Sequence, residues 1–198
     1  MANKNIITPE NFNADNFEFT KPKKNKDGRW QALILYKVNG QSMSCYFETP
    51  FSRTPFGVSR AAENYEYTCL ISAKTNNPEN QELIKHWFDE WKRFDFKMMD
   101  FIIEHSELIT GEAIDMEYDM LKKLKMYRPI IKETKDKDGN PYPFNIQLKF
   151  NKIMNQEDGT DKPDILVFKG GSEPLEIDGW SDLVENVPSG SFMRSIIQ

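Results

Sequence analysis

Between residues 16 and 48 the chain alternates apolar and polar positions with a period of two, the signature of strands that bury one face. Asn39-Gly40 interrupts ALILYKV and QSMSCYFE, and Asp27-Gly28 separates NFEFTKP from the next run. Such pairs supply the positive backbone angles of tight turns, so the spacing predicts a hairpin over residues 30–48 and a preceding strand that makes it a meander. Residues 67–72, YTCLIS, predict another strand. The period then changes. Asn77-Pro78 is a helix start, and apolar residues recur at Leu83, Ile84, Trp87, Phe88, Trp91, Phe94, Met98 and Ile102. One long amphipathic helix is expected over about residues 79–106. A shorter helix over 112–126 should turn Ile114, Met116, Met120, Leu121 and Leu124 inward.

Strand patterns return in MYRPIIKET, in YPFNIQLKF after the Asp138-Gly139 turn, and in DILVFK before Gly170-Gly171. Strands, two helices, then strands predict an α+β fold, an antiparallel sheet or small barrel with a two-helix insertion at about residues 77–126. A chain of 198 residues suits a single domain over 1–198. The closing SGSFMRSIIQ reads as the start of a strand cut short, so the sheet is expected to lack its last strand.

The apolar share is 38%, but 14 Phe, 7 Tyr and 4 Trp supply core volume through large rings. No apolar run reaches the roughly 20 residues that cross a bilayer, and the first residues lack a signal-peptide pattern. The expectation is a soluble, intracellular protein with no membrane partner. Cys45 and Cys69 are too few for a disulfide framework and read as buried free thiols.

Common catalytic patterns are missing. His86 and His105 stand nineteen positions apart, too far for a helical zinc pair. Asp115, Glu117 and Asp119 scatter over different faces of a helix. Asp136-Lys137-Asp138-Gly139 has its glycine too early for a calcium loop. Asp164 precedes a strand, as in metal-dependent nucleases, without the acidic-x-Lys pair that should follow. No phosphate-cradling loop or serine elbow occurs. A binder with neither cofactor nor metal is therefore expected, not an enzyme.

Although the net charge is -5, residues 1–60 carry nine Lys/Arg against five Asp/Glu, and residues 157–198 carry three against nine. A basic front half suits a polyanion. Cations and rings interleave there and again after the helices, the mixture by which proteins hold single-stranded nucleic acid without sequence choice. The candidate contacts are Lys24, Arg29, Trp30, Tyr36, Tyr46, Phe51, Arg53, Phe56, Arg60, Tyr127, Arg128, Lys132, Tyr142 and Lys149. Phe51 and Phe56 stand out because FETPFSRTPFGVSR is an unusually apolar loop. Most other rings must fill the core. Two further readings stay open: a structural or assembly protein that meets another protein through exposed aromatics, and a nuclease built on scattered carboxylates.

The stretches FSRTPFGVSR, YTCLISA, RPIIKETKDKDGNPYPFNIQLKF and DILVFKG, over roughly residues 30–170, resemble the single-stranded DNA-binding proteins of large nucleocytoplasmic DNA viruses, which are similar to the T7-phage type. The resemblance implies an OB-fold barrel with a helical insertion, and sequence-tolerant binding of single-stranded DNA in replication, recombination or repair. It also implies no cofactor, self-association, contacts with other replication proteins, and a viral protein working in the host cytoplasm or nucleus. Phage-type members end in a long acidic tail. This sequence departs from them there, because its acidic residues are dispersed over 157–185.

Overall fold

The computed structural model describes residues 5–60, 66–75, 77–113, 115, 117–154, 160–171 and 173–198. The fold is α+β with mostly antiparallel sheets and four helices among these residues. The chain forms two compact units, one of Met1–Phe51, Asn76–Lys132 and Arg194–Gln198, the other of Ser52–Thr75 and Glu133–Met193.

In the first unit, strands β1 (Ile6–Ile7), β2 (Phe17–Phe19), β3 (Lys23–Lys24), β4 (Trp30–Gln31), β5 (Ile34–Val38), β6 (Gln41–Met43) and β7 (Tyr46–Glu48) precede the helices. The expected meander is present, since β2 pairs with β5 and β5 with β6, all antiparallel. Asn39 and Gly40 both have positive φ, 50° and 81°, as a two-residue hairpin turn of this hand demands. Phe17 faces Tyr36, whereas Lys23 faces Gln31, so the register slips by one residue between the base and the tip of this long hairpin. A one-residue slip exchanges the faces on which side chains emerge. β7 is flanked by β1, which runs parallel to it, and by Ile196–Ile197, which runs antiparallel.

Helix α1 spans Pro78–Glu104, with Pro78 in its first turn and the Asn77 side chain accepting from the Glu79 amide at 3.0 Å, the predicted start. Its apolar stripe packs Trp87, Trp91 and Phe94 against Phe12, Phe17, Tyr36 and Phe47, with the Phe17 and Phe94 ring centres 4.4 Å apart. The same face carries two acids. Glu90 accepts from the buried Ala14 amide at 2.6 Å and pairs with Arg93, which also reaches Asp15. Lys97 donates to the carbonyls of Ala14 and Phe17, so polar contacts of α1 hold the 14–17 segment over the rings. Asp95 accepts from the Tyr127 hydroxyl at 2.5 Å and from the amides of Ile130 and Ile131 at 2.9 and 3.0 Å. This carboxylate ties the segment after the helices back onto α1.

After α1 come α2 (Ser106–Thr110) and α3 (Tyr118–Lys123). The second helix expected over 112–126 is thus much shorter, and among the described residues proposed to face inward Leu121 is buried while Met120 and Leu124 are 43% and 53% exposed. The helix ends at Lys123, so Leu124 is its C-cap and falls outside the helical face that buries Leu121. Ile114 and Met116 lie outside the described residues.

In the second unit, Tyr67–Ser72 pairs antiparallel with Asn145–Lys149, with Val58–Arg60 and with Ser52–Arg53, and the last of these pairs with Phe192–Met193. Among the described residues these pairings do not close a barrel. The core gathers Val58, Cys69, Leu183 and Val187, with Tyr67, Phe150, Ile177 and Trp180 packed around it. Burial pushes the Cys69 thiol up to about 11, so it is an inert core group at neutral pH.

Two expectations are corrected here, and one element is added. The strand placed at DILVFK falls earlier, at Asp161–Pro163, which pairs with Lys152–Met154, and Leu166 and Phe168 are exposed. An unforeseen helix, α4 (Trp180–Asn186), follows Gly179; Asp182 accepts from the Gly179 amide at 3.1 Å and caps it. The terminal SGSFMRSIIQ makes two short strands, Phe192–Met193 and Ile196–Ile197, where one was expected.

Gly57 shows how tightly the second unit is built. Its φ is +63°, and a Cβ placed there would lie 2.4 Å from the Val187 carbonyl oxygen and 2.6 Å from the Pro188 carbonyl carbon. Gly57→Ala is expected to cost about 2–3 kcal/mol, because backbone strain and a backbone clash add. A thermal melt should show the midpoint falling by roughly 5–10 °C; an unchanged midpoint would mean that the 187–189 segment yields freely.

Candidate nucleic-acid interface

The hairpin tip between β3 and β4 is held by Asn25. Its side-chain oxygen accepts from the Asp27 amide at 3.0 Å and the Arg29 amide at 2.9 Å, and its backbone amide donates to the Arg29 carbonyl at 2.8 Å. Gly28, at φ +75°, completes the turn. An Asx residue satisfying three backbone groups makes a stiff tip from a highly polar sequence.

That tip displays cations. Lys21, Lys23, Lys24, Lys26 and Arg29 are all exposed, against one acid, Asp27. Among the described residues none of the five side chains enters an ion pair, whereas Lys37, Arg93, Lys149, Lys152 and Arg194 all have carboxylate partners. Lys21, Lys23 and Lys24 also line an open hollow with Asn25 and Gln31. Lys24 and Trp30 are cross-strand partners, and the Lys24 ammonium sits 5.2 Å from the centre of the Trp30 ring. Five cations against the single carboxylate of Asp27 leave a net positive local potential, worth most at low ionic strength.

The structure brings Lys24, Arg29 and Trp30 together, and joins to them Lys21, Lys23 and Lys26, which the candidate set lacked. The signal for those three was present in KPKKNKDGR, five cations around one aspartate. Elsewhere in the first unit, Tyr46 is half-buried on β7, Phe51 is 45% exposed, and Arg128 and Lys132 are exposed.

Two candidates of that unit are corrected. Tyr36 is 2% exposed: its ring stacks on Phe12 and its hydroxyl accepts from the Asn13 amide at 2.9 Å. It is a core residue, because alternation along β5 turns it toward α1. Tyr127 spends its hydroxyl on Asp95, and burial, with that bond adding to it, pushes its pKa far up, so it acts as a structural pin.

In the second unit, Phe56 is 66% and Tyr142 53% exposed, Arg60 is exposed, and Arg53 is half-buried beside Gly190. Lys149 is paired with Glu66 at 2.6 Å, which reduces its attraction for a phosphate. Tyr67 and Trp180 stack face to face 4.3 Å apart, and the Trp180 indole donates to Asp161, so these rings are occupied with each other.

Among the described residues no three His, Cys, Asp or Glu side chains converge as a metal site would require, and no helix is long and apolar enough to cross a membrane. Set against family models, curated proteins and solved structures, the chain finds no match.

Proposed function

We propose that this protein binds single-stranded DNA without sequence choice, in replication, recombination or repair, using the β3–β4 hairpin as its main electrostatic contact. The observation that carries the reading is the set of five exposed cations, free of ion pairs among the described residues, on a stiff turn beside an accessible indole. Phosphates would be held by Lys21, Lys23, Lys24, Lys26 and Arg29, and bases by rings of the same unit such as Trp30 and Phe51. The reaction class is binding alone, with no bond broken and no cofactor. The finer fold that goes with this reading is an OB-like arrangement of strands with a helical insertion, supported by the strand–helix–strand order and the tight hairpins.

The test is fluorescence anisotropy of labelled oligo-dT at two salt concentrations, with matched duplex as control. Binding to the single strand that weakens with a log–log slope near -0.7 per phosphate neutralised is the expected result. Absence of binding at low salt by a folded protein would overturn the reading.

A second reading is an assembly protein that meets a partner through exposed apolar side chains. Leu166, Phe56 and Met154 in the second unit, 70%, 66% and 60% exposed, favour it. Such an interface would be nearly indifferent to salt.

A further inference from the structure

Lys24 and Trp30 face each other across a tight hairpin of two-residue strands, with the ammonium 5.2 Å from the ring centre. The Lys24 ammonium has no carboxylate partner among the described residues, so the indole is what holds it in the free protein. The other three tryptophans are differently placed. Trp87 and Trp91 lie in the core of the first unit, and Trp180 is stacked on Tyr67. Trp30 is the one partly open indole among cations.

We propose that Trp30 is a base-stacking subsite which Lys24 occupies in the absence of ligand, and that binding exchanges the two: a base takes the indole face while the ammonium moves to the adjoining phosphate. This rests on the nucleic-acid reading and sharpens it to one pair of residues. The direction of exchange follows from the chemistry. A base offers the ring a larger stacking area than an ammonium does, and the displaced ammonium gains a full negative charge in place of a ring quadrupole. The five-residue turn ties both strands together through Asn25, so the exchange needs only rotations of the Lys24 side chain. The ligand class this selects is a polyanion with aromatic bases spaced along it, as distinct from a bare polyphosphate.

Two oligomers separate these contributions: oligo-dT, and an abasic phosphodiester of the same length. Trp30 emission is obtained as the difference between the native protein and Trp30→Phe. Oligo-dT should quench that difference and the abasic oligomer should leave it unchanged. Trp30→Ala should weaken oligo-dT by about 5- to 150-fold and leave the abasic oligomer's affinity as it was, while Trp30→Phe, which keeps a stacking ring, restores most of the loss. Lys24→Met, which keeps the aliphatic stem over the indole, should weaken both oligomers and reduce the salt slope by about 0.7. Circular dichroism checks each fold. Steep, salt-dependent binding of oligo-dT with unchanged Trp30 emission, or with full affinity in Trp30→Ala, would overturn the exchange and leave the binding function standing. A folded protein that binds neither oligomer would overturn both.

Discussion

Removing the hairpin charges together, in a variant carrying Lys21→Ala, Lys23→Ala, Lys24→Ala, Lys26→Ala and Arg29→Ala, is expected to abolish measurable affinity for oligo-dT at moderate salt while leaving the melting temperature close to native. Five neutralised phosphates correspond to a log–log salt slope of about -3.5, so the native protein should lose roughly 100-fold in affinity between 50 and 200 mM salt. In the variant that dependence should largely vanish. The stability expectation follows from the contacts: these side chains form no ion pairs among the described residues, and the turn is held by Asn25 and by backbone bonds. Surface substitutions of this kind usually change stability little. Retention of the full salt slope would place the phosphate contacts elsewhere, with Arg53 and Arg60 in the second unit the next to test.

The largest effect on stability is expected at Asp95. Asp95→Ala deprives the Tyr127 hydroxyl and the amides of Ile130 and Ile131 of their acceptor in a buried setting. Each orphaned group costs about 1–3 kcal/mol, offset in part because a desolvated charge is removed as well. A net loss of about 3–4 kcal/mol is expected, read as a lower midpoint in urea. Asp95→Asn keeps one acceptor oxygen and should lose less. Tyr127→Phe should cost about 1 kcal/mol.

The same carboxylate has a pH signature. Burial raises its pKa above the ordinary 3.8, with the Tyr127 hydroxyl and the two amides pulling the other way. A raised pKa means that the folded state holds the proton more firmly than the unfolded chain. The contribution is fully present below the unfolded value and is lost as pH rises through the folded one. Asp95→Asn should remove this component, flattening the stability profile on the acid side of neutrality. A profile identical to the native one would show that Asp95 titrates alike in both states.

The elements with unambiguous local chemistry were legible in the sequence. Asn39-Gly40 fixed a hairpin, YTCLIS became the strand Tyr67–Ser72, and Asn77-Pro78 started α1. The misjudged elements were those for which local chemistry leaves a choice. β5 has apolar side chains on both faces, Leu35 on one and Ile34, Tyr36 and Val38 on the other, and even on the latter face Tyr36 is buried while Ile34 is 48% exposed, so alternation alone could not say which residue met the core. α4 has seven residues, too few for a helical period to show. Leu166 and Phe168 look like strand interior by composition, yet only tertiary pairing decides that, and it chose Asp161–Pro163. Glu90 and Asp95 both fall at helical spacing on the stripe of Trp87, Trp91 and Phe94. An acid on an apolar face signals a buried polar partner. The candidate site was legible as a basic run, though the run itself does not reveal that its cations stay out of ion pairs among the described residues, which depends on where the carboxylates fold.

β7 takes its two neighbours from Ile6–Ile7 and Ile196–Ile197. On a ribosome, the second neighbour emerges about 150 residues after β7, which at roughly 5–20 residues per second is a delay of about 8–30 s. Throughout that interval one edge of β7 lies open beside the Phe47 ring, while every residue of the second unit is being made. The first unit therefore finishes last although most of it is synthesised first, and a stalled or shortened chain would be left with an unpaired strand edge able to join another nascent chain.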